Sequence, residues 1–321
     1  MREATKDLHP STADQESTTA QTLKSFDANG FTLGTDVQVN TSSENYVAWC
    51  LKAGGAPTTD NDNTSGAMDD GSVFKGGVVQ SSYTPSGSPG TYPKKMSIAD
   101  YGGFSIVEYV GTGGNTTIPH GLDRKPEFLI FKRTNTGAST IVWHSAISVN
   151  DTLSFTNTDG PSTQGSIFMQ STAPTATVVS LGSQGGQNGS SDTHILYSMA
   201  KTPGMIGIGS YTGNDSTNGA YVVVDDGASG FRPAWVMVKR LNDGYAWHIH
   251  NSVMSPHNPV AAGINANDTG TEATPTFSDF TANGFKLRTD GGGYNAPATY
   301  LYLAFAEHPF GGDTIAQGKA R

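Results

Sequence analysis

Lys125-Pro126-Glu127-Phe128-Leu129-Ile130-Phe131-Lys132-Arg133 and Arg232-Pro233-Ala234-Trp235-Val236-Met237-Val238-Lys239-Arg240 are two versions of one segment, set 107 residues apart. Both run from a basic residue and a proline, through apolar and aromatic side chains, to a Lys-Arg pair. Such residues pack well on a pleated surface and predict strands over 127–132 and 234–240. Side chains alternate between the faces of a strand, so Phe128 with Ile130, and Trp235 with Met237, are expected in the space between two sheets. Gly137 and Gly244 then reverse the chain, leaving Lys132 and Lys239 at strand ends.

The match extends outward. Trp143-His144 aligns with Trp247-His248, and Tyr109 with Gly111 aligns with Tyr211 and Gly213. A second series links Phe26-Asp27-Ala28-Asn29-Gly30-Phe31 to Phe280-Thr281-Ala282-Asn283-Gly284-Phe285, at an offset of 254. Tyr46-Val47-Ala48-Trp49 falls on Tyr302-Leu303-Ala304-Phe305, and a weaker middle copy runs from Val179 to Tyr197. Self-similarity at a fixed period means one structural module used several times. Here two full units of about 105 residues follow the second half of a third.

Further strand-like runs occupy 104–110, 139–144, 175–181, 220–224, 245–250 and 299–305, and no helical period persists. The predicted class is all-β: tandem antiparallel β-sandwich modules, jelly-roll-like, with long polar loops; a small closed barrel is the alternative. The expected divisions are an arm or linker at 1–24, a partial β unit with a Gly/Ser/Asn-rich linker at 25–100, repeats at 101–203 and 204–312, and a tail at 313–321.

The chain has 321 residues, a formal net charge of −9 and 15% charged residues, against about 25% in ordinary soluble domains. Ser, Thr, Asn and Gly supply the polarity instead. The negative balance, with no cluster of Lys and Arg, argues against nucleic-acid binding, which depends on cations to displace counterions from phosphates. Cys50 is the single cysteine, so an intrachain disulfide is impossible. The opening MREATKDLHP lacks the apolar core of a secretory signal, and no apolar run approaches membrane-spanning length, so no membrane insertion is expected.

Candidate chemistry is sparse. His248 and His250 lie two apart on a predicted strand and share a face, as two imidazole ligands must, with His257 nearby. They are the weak metal candidates, set against a reading as ordinary strand histidines flanking Trp247; Ala146 stands where the first unit would need the second imidazole. Asp60-Asn61-Asp62-Asn63, Asn214-Asp215 and Asp225-Asp226-Gly227 offer oxygens, but none follows a calcium-loop order, and these residues form turns for backbone reasons alone. Glu108, Glu127, Glu272 and Glu307 are scattered and do not recur between units, and no nucleophile elbow is present, so no catalytic residue, cofactor or enzyme activity is expected. Trp143, Trp235 and Trp247 are read as core anchors, while Tyr221 and Tyr245 are possible surface contacts, since an aromatic ring can stack on a sugar.

The segments SFDANGFTLGTD (25–36), YVAWCLKAGG (46–55), GFSIVEYVGTGGN (103–115), IPHGL (118–122), KPEFLIFKR, GFRPAWVMVKR and YLAFAEHPFGG (302–312) together resemble the tandem β-repeat of marine bacteriophage virion proteins of tail-fibre type. The N-terminal half-unit is similar to the end of a concanavalin-like or SPRY-like sandwich. Members of that family usually continue upstream, so a short form or a piece of a longer fibre is expected. The resemblance implies a virion structural protein, assembled in the host cytoplasm with other virion proteins, and a homo-oligomer, in that setting a trimer. Display on the particle exterior in a tail fibre or host-attachment appendage is the leading expectation, with a host surface glycan or protein as the contact. A capsid decoration or head-fibre protein is the alternative, and a carbohydrate-binding or carbohydrate-active sandwich the second.

Overall fold

A computed structural model describes residues 3–27, 29–242, 244–274 and 276–307. The chain is all-β. In order its elements are β1 (Lys6–Asp7), β2 (Ser17–Thr18), β3 (Leu23–Asp27), β4 (Gly30–Leu33), the one-turn α1 (Val37–Asn40), β5 (Val73–Lys75), β6 (Val78–Val79) and β7 (Lys95–Ile98). The first unit holds β8 (Phe104–Val110), β9 (Thr116–Pro119), β10 (Phe128–Arg133), β11 (Ile141–His144), β12 (Asp151–Ser154), β13 (Ser162–Thr163), β14 (Val178–Leu181), α2 (Gly185–Asn188) and β15 (Thr193–Met199). The second holds β16 (Ile206–Thr212), β17 (Tyr221–Val223), β18 (Pro233–Arg240), β19 (Trp247–Asn251), β20 (Gly263–Asn265), β21 (Ser278–Thr281), β22 (Gly284–Leu287) and β23 (Thr299–Ala306).

The units share one topology. The large sheet of the second runs β16-β23-β18-β19-β20, and the first repeats it as β8-β15-β10-β11-β12 inside a nine-stranded sheet. A small sheet covers each: β9 with β14 in the first unit, β17 with β22 and β21 in the second. Val107, Tyr109, Leu129, Phe131 and Trp143 pack against Ile118 and Val179 in one core, and Tyr211, Val236, Val238 and Tyr302 pack against Val222 and Phe285 in the other. The opposite faces of the two large sheets meet each other. Phe104, Phe128, Val142 and Met199 bury against Ile208, Met237, Trp247, Leu301 and Leu303. The result is four layers, small sheet, large sheet, large sheet, small sheet, with no closed barrel. Phe128, Ile130 and Met237 thus do face another sheet, but it is the sheet of the other unit.

Three expectations are corrected. The pairing of Trp143 with Trp247 fails, because the strands stay at the offset of 107: Phe128 lies opposite His144 and Trp235 opposite Asn251. His250, not Trp247, is therefore to Val236 what Trp143 is to Leu129, and the first-unit counterpart of His250 is Trp143, not Ala146. A slip of three residues is odd, and an odd slip exchanges the faces of a strand. Trp143 accordingly sits in its unit's own core, whereas Trp247 sits in the seam between units. The linker within 25–100 is not structureless: β7 pairs antiparallel with β8, and β5 pairs parallel with β7, adding to the first unit's sheet. Val73, Met96 and Ile98 are fully buried there, so short apolar runs suffice where a neighbouring strand edge supplies the hydrogen bonds. The segment 1–24 is likewise docked. Its β1–β2 ribbon lies beside the first unit, with Glu16 N donating to Thr134 O (2.8 Å) and Lys132 Nζ donating to Thr12 O (2.7 Å). Lys132 and Lys239 lie near the ends of β10 and β18, as expected, and are buried there, 1% and 0% exposed. The tail at 313–321 lies outside the described residues.

Each unit is closed by the same buried polar latch. The Tyr109 hydroxyl donates to the Gln187 carbonyl, and Asn188 accepts from Thr112 N (2.8 Å) while donating to Gly114 O (2.7 Å) and Gly182 O (2.8 Å). In the second unit the Tyr211 hydroxyl donates to Tyr294 O (2.8 Å), and Asn295 accepts from Asn214 N (3.0 Å) and donates to Ser216 O and Thr289 O, both at 2.8 Å. Gly111 and Gly213 allow the approach: a Cβ there would lie 2.1 Å from the Gly189 and Ala296 carbonyl oxygens. Burying these amides is tolerable because their partners are supplied.

Candidate interaction surface

The N-terminal half-unit repeats the end of the second unit. β3 and β4 pair with Phe26 opposite Phe31 and Asp27 opposite Gly30, as β21 and β22 pair Phe280 with Phe285 and Thr281 with Gly284. The burial is reversed. Phe280 and Phe285 are 1% and 0% exposed, whereas Phe26 and Phe31 are 72% and 37% exposed. The segment matching β23 fares alike. In the second unit β23 is flanked by β16 and β18, but among the described residues Tyr46–Leu51 has no strand on either side and forms none. Gly54 ends this strap by seating against the first unit: its amide donates to Ser97 Oγ (2.9 Å), and a Cβ would lie 2.3 Å from both the Phe74 and Ile98 carbonyl oxygens.

The strap borders a cleft of about 690 Å³ at the rim of the seam, lined by Trp49, Leu51, Phe104, Lys132, Trp235 and Phe305 among others. Trp49 meets Trp235 edge to face, ring centroids 6.1 Å apart, and Trp235 packs on Phe305 at 5.3 Å. Trp235 is therefore only half-buried, a rim residue and not a central anchor; its indole Nε1 finds no partner among the described residues. Burial pushes the Lys132 ammonium below its ordinary range, while its carbonyl partners Thr12 and Ala138 hold it in place. An apolar cleft of this kind can take up apolar side chains.

Elsewhere the expected site residues are separate. His248 and His250 do share a face of β19, but both rings are engaged: His250 stacks on Phe277 with centroids 4.1 Å apart and pairs with Ala262 O (3.1 Å), and His248 packs on Tyr294. Burial, reinforced by the neighbouring His248, pushes His250 down to about 3, and burial also lowers His248. His257 lies exposed on a loop. Among the described residues no group of three or more His, Cys, Asp or Glu side chains is placed to hold a metal ion. In the 60–63 turn, Asn61 is buried and caps Pro93 O and Asp69 N, while Lys94 and Lys95 hold Asp62 and Asp60. Glu127 pairs with Lys201 (3.0 Å) and Glu307 with Arg232 (2.8 Å). Trp143 and Trp247 are 3% and 0% exposed, and the Trp247 indole donates across the seam to Ser154 O (2.8 Å). Tyr221 is half-exposed and hydrogen-bonded to Thr281 and Asn283, and Arg240 lies 4.2 Å above the Tyr245 ring. Sequence reasoning missed the strap beside the cleft and the asparagine latch, although Asn188 and Asn295 stand at the same offset of 107.

No curated protein and no solved structure matches the chain. One family model does, the domain of unknown function DUF7483, and it matches twice, over residues 1–88 and 73–309. The first match contains the half-unit and the second both complete units, and the chain belongs to the DUF7483 family.

Proposed function

We propose that the chain is a non-enzymatic structural component of a bacteriophage virion, assembled in the host cytoplasm and displayed on the particle exterior in a tail fibre or host-attachment appendage. The observation that carries this reading is the duplication itself: two units of one topology, joined into a slab through a largely apolar seam that a few hydrogen bonds cross. Stacked modules of this sort build length and rigidity, and they spend their tryptophans and histidines on packing. The resemblance of the repeat segments to virion proteins of marine bacteriophages supports the same reading. In the particle the chain forms a trimer alongside other virion proteins. Its Ser/Thr/Asn/Gly loops, with Tyr221 and Tyr245 as aromatic contacts, meet a host surface glycan or protein.

Antibody raised against the chain and applied to purified particles tests this. Gold at the tail tips, with few copies per particle by quantitative mass spectrometry, is expected. Absence from washed particles overturns the reading, and gold spread over the heads in high copy number replaces it with a shell-decorating role. A glycan array and a host-adsorption assay, both blank, would remove the recognition part.

A further inference from the structure

The seam between the units is filled unevenly. Strands β11 and β19 correspond at the offset of 107, so Trp247 holds in the second unit the position that Thr140 holds in the first. Val142 pairs with Leu153 and Ile249 with Ile264, so Phe155 and Ala266, two residues further on, correspond in the same way. Trp247 and Phe155 pack edge to face across the seam, ring centroids 4.7 Å apart. Their counterparts Thr140 and Ala266 are small, and both line the cleft of about 690 Å³. The cleft thus lies where one half of the seam lacks the rings that close the other half. It also holds polar groups that the chain leaves wanting. Phe131 and Ile141 are partners across β10 and β11, so Lys132 and Thr140, one step along, stand opposite each other and share a face. Thr140 is 1% exposed, yet its hydroxyl has no partner among the described residues. The Lys132 ammonium has three hydrogens to donate and gives two, to the neutral carbonyls of Thr12 and Ala138; no carboxylate among the described residues pairs with it. Burying a cation without a counter-charge, and a hydroxyl without a partner, both cost free energy that an anion would restore.

We propose that the cleft binds a free long-chain aliphatic carboxylate, its head held by the Lys132 ammonium and the Thr140 hydroxyl. Its chain runs past Ile130 and the cross-strand partner Tyr197 toward Phe128, all of which line the cleft. Small-ligand sites are mostly apolar clefts of about 300–1,000 Å³ with a few placed polar groups, and this cleft has both properties. The polar end selects the occupant. An alcohol or a hydrocarbon leaves the ammonium without an anion, and the esterified acyl chain of a phospholipid presents no carboxylate. The inference stands apart from the virion reading, which rests on particle composition and is untouched if the cleft takes no carboxylate.

Titration calorimetry of the full chain with dodecanoate tests this, with dodecanol and phosphatidylcholine vesicles titrated alongside. Saturable binding of a single dodecanoate per chain is expected, with dodecanol at least about tenfold weaker, since hydrogen bonds to a charged group are the stronger kind. Vesicles should give no binding. Thr140→Val keeps the shape of the side chain and removes a hydroxyl that has no partner within the chain, so its thermal unfolding should match the parent. Its affinity for dodecanoate should fall about tenfold. Ala266→Phe supplies the ring that Phe155 supplies in the first unit and should abolish binding by filling the cleft. Should Ala266→Phe fail to fold, Thr140→Val alone decides. No binding of dodecanoate overturns the proposal, as does binding that either folded variant leaves unchanged or that dodecanol equals. Binding of vesicles in place of dodecanoate overturns it in favour of a membrane contact.

Discussion

Acidification should unfold this protein well before its carboxylates titrate. His120, His144 and His250 are all fully buried, and each ring has one nitrogen placed to donate and the other to accept. In His144, Nδ1 accepts from Ala146 N (2.9 Å) while Nε2 faces Tyr302 O (3.2 Å); in His120, Nδ1 accepts from Leu122 N (3.2 Å) while Nε2 faces Thr175 O (3.3 Å). His250 faces Ala262 O through Nδ1 and the Tyr294 hydroxyl through Nε2. Each position fits the neutral imidazole; a second proton would set N–H against N–H at His120 and His144, while at His250 the penalty is burial of the charge. Burial pushes His120, His144 and the equally buried His194 down to about 4 and His250 to about 3, with the nearby carbonyls opposing the shift only in part. The unfolded chain titrates near 6.5, so below that pH it binds protons the native state refuses. Stability is therefore complete above about 6.5, falls as the pH drops, and stops falling from this cause once the native groups protonate near 4 and then 3. At pH 5 each of the four histidines costs about 2 kcal/mol, roughly 8 kcal/mol in all, a large part of the 5–15 kcal/mol that holds a domain together. Urea titrations at stepped pH would give the slope, which should approach that of four protons, about 5 kcal/mol per pH unit. His144→Asn should remove about one proton from that slope. A flat stability profile between pH 6.5 and 5, or a slope that His144→Asn leaves unchanged, would refute the reasoning.

The latch and the seam make separate predictions, each read by urea denaturation at neutral pH. Asn295→Ala leaves Asn214 N, Ser216 O and Thr289 O without their partner and should cost about 2–4 kcal/mol, with Asn188→Ala similar in the first unit. Tyr211→Phe, which removes a single hydroxyl bond, should cost only about 1 kcal/mol. Gly213→Ala drives a Cβ into the Ala296 carbonyl and should cost about 1–3 kcal/mol or more; a neutral result would mean the latch is loose. Trp247→Ala should cost about 3–5 kcal/mol and Trp235→Ala distinctly less, because only the first lies wholly inside the seam.

The offset of 107 made the repeat legible from residues alone, and it carried the strand pairing correctly through Lys239-Arg240 and Gly244. It was abandoned one step too soon. Two Trp-His pairs look like a match, but composition cannot outweigh register, and the offset that keeps Phe128 and Trp235 equivalent places His250 beside Val236. The latch was half visible: Tyr109 and Tyr211 were paired with Gly111 and Gly213, yet the asparagines sit in dissimilar loops, Gln187-Asn188-Gly189 and Tyr294-Asn295-Ala296. Their partners lie far away in sequence, where local pattern carries no signal. Strands β5 and β7 escaped notice because three or four residues between glycine-rich turns have no measurable period. They exist because the edge of β8 is there to pair with.

The pattern of the central strands was also more informative than alternation suggested. A strand with one wet face should read apolar, polar, apolar; Phe128-Leu129-Ile130-Phe131 and Trp235-Val236-Met237-Val238 are apolar throughout. Uninterrupted runs belong to sheets covered on both sides. Here the second cover is the other unit, since Leu129 and Phe131 face the small sheet while Phe128 faces the seam. A unit standing alone would expose that whole face to water, so these repeats are made to be used against one another. The same logic applies to Tyr46-Val47-Ala48-Trp49-Cys50-Leu51, an equally uninterrupted run that this chain lays beside a cleft instead of between sheets. Its composition is that of a central strand and its exposure is that of an edge. That mismatch is the signature of a strand whose flanking neighbours, β16 and β18 in the second unit, have no counterpart beside it among the described residues.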